Sequence, residues 1–250
     1  MRYFIELSYN GSAYHGWQNQ PTAISVQEVI EKALSTLLKQ PTAIVGAGRT
    51  DTGVHASQMF AHFDTNITFS KTQLTYKLNA FLPKDVAIHR IFKVNPNAHA
   101  RFDALSRTYL YRITLKKNVF SYNNALFMKQ DLNVENMQKA TDILFNYKDF
   151  QCFSKTNTDV KTYNCDIMKA QWFFKDDELH FIIQADRFLR NMVRAVVGTM
   201  INVGLGKISV NDVHKIIASK SRSEAGYSVP AHALYLIHVE YPDSITLNND

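Results

Sequence analysis

One short stretch of this chain combines residue types that could carry out chemistry. Residues 46–56 read GAGRTDTGVHA, in which three glycines surround a single acid, Asp51. Glycine tolerates unusual backbone angles, so such a loop can hold a carboxylate out into a cleft. A carboxylate presented in this way can act as a nucleophile, a base or half of an ion pair. The same residues also favour a tight turn in which Asp51 only caps backbone amides, and the residue types alone do not separate these two interpretations.

The composition is that of a globular protein with a modest excess of positive charge. The chain has 250 residues, of which 46% are apolar and 20% charged, enough for one large domain or two small ones. Its formal net charge of +6 permits a polyanionic partner without requiring one. Cys152 and Cys165 provide neither a disulfide framework nor a zinc-binding set. We find no secretion signal, and the most apolar segment, 192–203, is too short to cross a bilayer, so we expect a cytoplasmic protein.

Hydrophobic periodicity predicts the order β-α-β-β-α-β in the first part of the chain. Alternating residues indicate strands, and apolar stripes at helical spacing indicate helices, the first opened by a capping box at Ser25 and Glu28. This order is that of a ferredoxin-like fold. The predicted strands cover 2–9, 43–45, 56–63 and 86–94, and the predicted helices cover 26–38 and 71–81.

The second part repeats that order with one additional helix. Its predicted strands cover 108–115, 166–174, 179–185 and 234–241, and its predicted helices cover 134–145, 189–203 and 210–219. We therefore expect an α+β protein made of two ferredoxin-like halves, 1–97 and 98–250, with the junction near residues 95–97. The halves would share a mostly antiparallel sheet and leave an active-site cleft between them. The first half would carry the Asp51 loop, and the second a tyrosine-bearing strand and a basic helix.

Residues 46–56 closely resemble the signature of the tRNA pseudouridine synthase A family, which reads close to GxGRTDxGVHA. Other separated patches are similar to that family as well. Two departures, Asn10 in place of an acid and Ala233 in place of glycine, affect local loops only. The resemblance implies the pseudouridine synthase fold. The similar patches include GWQNQ at 16–20, the RxYxY strand at Arg107, Tyr109 and Tyr111, the MVRxxVG helix from Met192 to Gly198, and VPA at 229–231.

The resemblance also implies a reaction and a partner. The family converts uridine to pseudouridine at positions 38, 39 and 40 of the tRNA anticodon stem-loop and works as a homodimer. Nothing is oxidised or hydrolysed overall, so neither a metal nor a cofactor is expected, and the chain has no Cys/His ligand cluster. Asp51 corresponds to the nucleophile of the family. The sequence leaves open whether its carboxylate attacks C1′ of the sugar or removes a sugar proton.

By the same resemblance, three further side chains would surround the target base. Tyr109 would stack on the flipped uracil, and its hydroxyl could assist proton transfer, although a strand tyrosine is ordinarily packed within a sheet. Arg194 would pair with Asp51 and oppose the effect of burial on its charge, although an arginine at that position could instead border the core. Arg49 would fill the space that the flipped base leaves or bind a phosphate, since enzymes acting on bases take them out of the stack.

The remaining candidates concern RNA binding. Arg187, Arg190 and Arg194 are spaced three and four apart, which would place them on one helical side where they could bind phosphates or form a solvated stripe. Trp17 and Gln18 lie in a glycine-containing loop and are candidate RNA contacts. Trp17, together with Tyr14, could stack on bases or fill the seam between the halves. We interpret His55 as a structural residue that forms hydrogen bonds within its loop.

Two other functions fit parts of the sequence. Asp-Thr-Gly at 51–53 is the tripeptide of aspartic proteases, but those enzymes need two copies, and one occurs here among helix-rich patterns. A non-catalytic RNA-binding module is the second alternative, because ferredoxin-like sheets often bind RNA. Changing Asp51 to Ala separates the cases, since a synthase would lose turnover and a pure binding module would be unaffected.

Overall fold

The computed structural model describes residues 1–156 and 160–246. In this part of the chain, five α-helices and nine strands give an α+β fold with mostly antiparallel pairing, as predicted. The strands are β1 (Arg2–Tyr9), β2 (Val45–Gly46), β3 (His55–Asp64), β4 (Val86–Lys93), β5 (Ser106–Thr114), β6 (Leu126–Phe127), β7 (Ile167–Lys175), β8 (Glu178–Ala185) and β9 (Leu234–Glu240). The helices are α1 (Val26–Leu38), α2 (Lys71–Phe81), α3 (Val134–Asp142), α4 (Met192–Gly204) and α5 (Asp212–Ser219).

The chain forms two compact units whose limits differ from the predicted halves 1–97 and 98–250. Unit 1 contains Met1–Ser106 and the chain from Tyr235 onward, and unit 2 contains Arg107–Leu234. The last strand belongs to unit 1 because β9 pairs in parallel with β3, with His55 opposite Tyr235. Leu105 joins the same unit through its backbone N–H, which donates to the carbonyl oxygen of Glu240 at 2.8 Å.

Unit 1 has the predicted β-α-β-β-α-β order. Its strands lie in the order β4-β1-β3-β9, with β1 antiparallel to both β4 and β3. The short strand β2 also pairs with β3, at Ala61 and His62. The hydroxyl of Ser25 accepts a hydrogen bond from the Glu28 backbone N–H at 3.1 Å, so the predicted cap of α1 is confirmed. The pairing of β2 with β3 places the segment between these two strands, which carries Asp51, at one end of the sheet of unit 1.

Unit 2 is built around α4, which is almost completely buried. Its strands lie in the order β5-β8-β7, all antiparallel, with Tyr109 of β5 opposite Ile183 of β8. Every residue of α4 is buried except Arg194 and Asn202. Hydrophobic burial on this scale fixes the helix firmly, and Arg194 is the only charged residue within it.

Several element ends differ from their predicted positions. The helix predicted over 189–203 begins at Met192, and the one predicted over 134–145 is α-helical only to Asp142 and continues as a 3₁₀ turn, Ile143–Asn146. The two-residue strand β6 was not predicted, since so short a segment has no recognisable alternation. None of the helices in the ranges 1–156 and 160–246 is long and apolar enough to cross a membrane.

Candidate active site

Asp51 lies in the turn between β2 and β3, where its side chain is partly exposed. Gly53 has φ of 79°, a left-handed conformation that glycine adopts at little cost. The backbone N–H of Val54 donates to the carbonyl oxygen of Asp51 at 3.1 Å and closes the turn. Arg49, two residues earlier, is exposed. The loop therefore presents a carboxylate and a guanidinium at the surface of unit 1 on a constrained backbone.

A second backbone segment, residues 14–17, holds the Asp51 loop in place. The N–H of Trp17 donates to the carbonyl oxygen of Thr50, and the N–H of Gly53 donates to that of Tyr14, both at 3.3 Å. The Thr50 side chain is held as well, because its hydroxyl lies 2.8 Å from the hydroxyl of Tyr9. Gly16 has φ of 95°, and a Cβ there would lie 2.4 Å from the carbonyl oxygen of Thr50. This close approach requires glycine.

Two buried polar side chains complete that support. Burial and the adjacent Asp85 raise the pKa of Tyr14, whose hydroxyl donates to Asp85 Oδ1 at 2.7 Å. His55 is buried, its Nδ1 accepts a hydrogen bond from the Gly11 N–H at 3.0 Å, and its ring stacks on Tyr235 at 4.6 Å. These contacts agree with a structural role for His55. Its hydrogen-bond partner Gly11 lies in the turn that follows β1 rather than in the loop of His55 itself.

The prediction that Trp17 stacks on RNA is wrong for this structure. Its side chain is 2% exposed and packs in unit 1 beside Tyr9, with ring centroids 6.0 Å apart. The indole fills the space above Gly46, where a Cβ would lie only 2.4 Å from the ring. Tyr14 is likewise buried, so neither ring offers a face to a base. Gln18, the next residue, is exposed and remains a candidate RNA contact.

The contact between Trp17 and Gly46 predicts that Gly46→Ala destabilises the protein while Gly48→Ala does not. An alanine at Gly46 would collide with the indole ring, whereas a Cβ at Gly48 has no neighbour within 4 Å. Overpacking of this kind costs about 1–3 kcal/mol of unfolding free energy, and the control should stay within about 0.5 kcal/mol. Urea unfolding followed by tryptophan fluorescence measures both. Equal midpoints for the two variants would show that the indole can move aside freely.

In unit 2, the two tyrosines of β5 lie on the same face of the strand but in different environments. Tyr109 is partly exposed, and its ring meets that of Phe188 edge to face at 5.1 Å. Tyr111, two residues further along the strand, is fully buried, and its hydroxyl donates to the carbonyl oxygen of Pro230 at 2.9 Å. Burial raises the pKa of Tyr111. Of the two, Tyr109 is therefore the one that could receive a base.

Arg194 is partly exposed and is fixed by backbone contacts with the segment before β9. Its Nε donates to the carbonyl oxygen of Val229 at 2.6 Å. The N–H of Val229 in turn donates to the carbonyl oxygen of Arg194 at 3.3 Å. A guanidinium held through Nε has its plane fixed, which allows it to present charge in one direction.

The prediction that Arg187, Arg190 and Arg194 share one side of a helix is wrong. Only Arg194 lies in α4, because Asn191 has φ of 68°, a left-handed angle, and the helix begins after it. Arg190 is exposed, and its carbonyl oxygen accepts a hydrogen bond from the Lys155 N–H at 3.0 Å. Arg187 is partly exposed. The contacts of Arg187 and Arg190 with RNA stay predictions. Both residues lie in the loop before α4, so these contacts would be made by a loop and not by one side of a helix.

Comparison with known proteins identifies the family. The sequence model of a family described as tRNA pseudouridine synthase matches residues 7–103 and 147–242, well over half of the chain. The chain belongs to the tRNA pseudouridine synthase A family. It is 51% identical to the tRNA pseudouridine synthase A of Bacteroides fragilis, over 98% of each chain, and 50% identical to that of Parabacteroides distasonis, over 98% and 97%. The protein of that name from Bacillus licheniformis is 38% identical, over 96% and 99%.

Membership of the tRNA pseudouridine synthase A family confirms the predicted enzyme class, an isomerase acting on uridine in tRNA. It also agrees with the α+β fold described above. In the described ranges, no group of three or more His, Cys, Asp or Glu side chains could hold a metal ion. Sequence reasoning missed the hydrogen bonds that Asn191 and Arg222 donate to the hydroxyl of Ser228, one residue before the Val229 carbonyl group that binds Arg194.

Proposed function

We propose that this enzyme forms pseudouridine at positions 38, 39 and 40 of the tRNA anticodon stem-loop, with Asp51 as its reactive group. The partly exposed Asp51 carboxylate, on a loop fixed by backbone hydrogen bonds with Tyr14 and Trp17, is the observation that carries this proposal. Family membership supports the isomerisation of uridine in tRNA. The choice of the three positions is supported by the resemblance of the motifs around Asp51, Tyr109 and Arg194.

The proposed reaction needs no atom from outside the substrate except exchangeable protons. The N1–C1′ bond breaks, the base turns, and C5 bonds to C1′. The hydrogen on C5 then leaves as a proton, and N1 gains one. A carboxylate suits the first step, because it can add to C1′ or remove a sugar proton. No oxidant, reductant or hydrolytic water is consumed, so the enzyme acts without a cofactor.

The remaining site residues bind the base, balance charge or contact the RNA. Tyr109 stacks on the uracil once it has left the helix stack, and the neighbouring Phe188 ring keeps the phenol oriented. Arg194 supplies the positive charge that balances Asp51 during the reaction. Arg49 occupies the vacated position of the base or binds a phosphate. We further propose that Arg187, Arg190 and Gln18 contact the RNA and that the enzyme works as a cytoplasmic homodimer.

Mapping pseudouridine in tRNA transcripts tests this proposal. The purified protein is incubated in EDTA with unmodified transcripts that carry uridine at positions 38, 39 and 40. Carbodiimide labelling and primer extension should then show pseudouridine at those positions, and a transcript with cytidine there should show none. Modification confined to other uridines would refute the anticodon assignment. Unchanged uridines throughout would refute the proposed activity.

A further inference from the structure

The segment 226–230 lies directly against helix α4 in unit 2. A Cβ at Gly198 would lie 1.9 Å from the carbonyl oxygen of Tyr227, and one at Gly226 would lie 2.4 Å from the backbone nitrogen of Thr199. The N–H of Gly226 donates to the Thr199 hydroxyl at 2.8 Å. Such close approach of two backbones is possible only with glycine at both places, so the segment packs against the helix in one fixed position. We call residues 226–230 the strap.

The strap provides the carbonyl group that orients Arg194. The carbonyl oxygen of Val229 accepts from Arg194 Nε at 2.6 Å, and that of Pro230 accepts from the Tyr111 hydroxyl at 2.9 Å. Adjacent carbonyl groups of the strap are thus bound to α4 and to β5. Any shift of the strap would therefore rotate the guanidinium plane.

A single hydroxyl, that of Ser228, holds the middle of the strap. Its Oγ accepts from Asn191 Nδ2 at 2.7 Å and from Arg222 Nη2 at 2.8 Å. Arg222 also donates through Nη1 to the carbonyl oxygen of Gly226 at 2.9 Å, so its guanidinium spans two points of the strap. Within 1–156 and 160–246, Arg222 has no carboxylate partner; its hydrogen bonds go to the strap and to the adjacent Ala225. This planar fork suits two acceptors at a fixed spacing.

We propose that Ser228 and Arg222 are positioning residues that set the orientation of Arg194 for the isomerisation. This inference rests on the role of Arg194 in the proposed function. Ser228 acts through the Val229 carbonyl group, which is one peptide further along the chain. Neither Ser228 nor Arg222 needs to touch the RNA. A misplacement of about 1 Å in a reacting group can cost on the order of 100-fold in rate, so even a small shift of the strap should be measurable.

Single-turnover kinetics with excess enzyme separate positioning from binding. Ser228→Ala should lower the rate of pseudouridine formation by about 10-fold or more, with the Kd for tRNA unchanged within about 2-fold. Ser228→Thr, which keeps the hydroxyl, should recover most of the rate. Ser223→Ala is the matched control, because that hydroxyl lies in the same region and bonds only to Ser221 among the described residues, at 2.7 Å. A Ser228→Ala enzyme as fast as the Ser223→Ala enzyme would overturn the inference.

A double variant shows whether Ser228 acts through Arg194. Arg194→Lys keeps the charge but removes the Nε donor to Val229, so adding Ser228→Ala should cause little further loss. Full additivity would mean that Ser228 acts by another route and would overturn the inference. A wild-type rate for Arg194→Lys alone would instead refute the oriented role of Arg194 in the proposed function. Should Ser228→Ala fail to fold, Arg222→Lys, which loses the two-point contact, must show the same slow rate with normal tRNA binding.

Discussion

Replacing Asp51 with asparagine should abolish pseudouridine formation while tRNA binding stays intact. Asparagine has nearly the same shape and can keep the turn, but it can neither add to C1′ as an anion nor accept a proton. Loss of a general base reduces turnover by about 100-fold or more, and loss of a nucleophile reduces it further still. The rate is measured by carbodiimide mapping under single-turnover conditions, and the Kd by filter binding with the same transcript.

Thr52→Ala provides the matched control for Asp51→Asn. Thr52 is the next residue in the loop and is exposed, so its loss should leave both rate and binding near those of the wild type. Measurable turnover by Asp51→Asn, within about 10-fold of the control, would exclude the carboxylate as the reactive group. Loss of binding together with turnover would instead indicate that Asp51 shapes the RNA-binding loop.

Two substitutions at Tyr109 should separate stacking from proton transfer. Tyr109→Phe keeps the ring that stacks on the base, and Tyr109→Leu removes it. Stacking of a base on an aromatic ring is worth about 1–3 kcal/mol. Loss of this stacking alone should lower the kcat/KM of Tyr109→Leu by about 10- to 100-fold. If the phenol hydroxyl also transfers a proton, Tyr109→Phe will lower the rate with tRNA binding unchanged.

Tyr76→Leu serves as the control for these variants, since Tyr76 lies on α2 and is 75% exposed. It should leave the kinetics unchanged. Rates and KM values for all three enzymes come from initial velocities over a range of tRNA concentrations. If Tyr109→Leu behaves like the Tyr76 control, Tyr109 is only a packed strand residue, supported by its edge-to-face contact with Phe188.

The sequence predicted most reliably the elements that local signals define. β1 and the helices α1 and α2 have their predicted limits, because alternation, caps and apolar stripes lie within each segment. The Asp51 loop was recognisable because its glycines and acid are contiguous. Features that depend on distant residues were not predictable. β9 joins unit 1 through pairing with β3, in which His55 lies opposite Tyr235, 180 residues further along the chain, and no residue pattern in either strand indicates that partner.

The errors at the candidate site have the same physical origin. Trp17 is buried because Gly46, far along the chain, leaves room for an indole. The start of α4 depends on a left-handed Asn191, which the sequence pattern around Arg190 does not reveal. The hydrogen bonds of Ser228 were not predictable, because their two donors, Asn191 and Arg222, lie on different segments. The chemistry of a side chain can be inferred from the residue itself and its neighbours in the sequence. Its burial and its hydrogen-bond partners depend on tertiary contacts.

Nucleoside analysis of the tRNA product tests the central claim most directly. The protein is incubated with tRNA transcript in EDTA, the RNA is digested to nucleosides, and uridine, pseudouridine and free uracil are quantified by chromatography. Isomerisation by a carboxylate predicts that each uridine lost appears as one pseudouridine, with no free uracil, and that Asp51→Asn stops both changes. Release of free uracil, or equal conversion by the Asp51→Asn enzyme, would contradict the account.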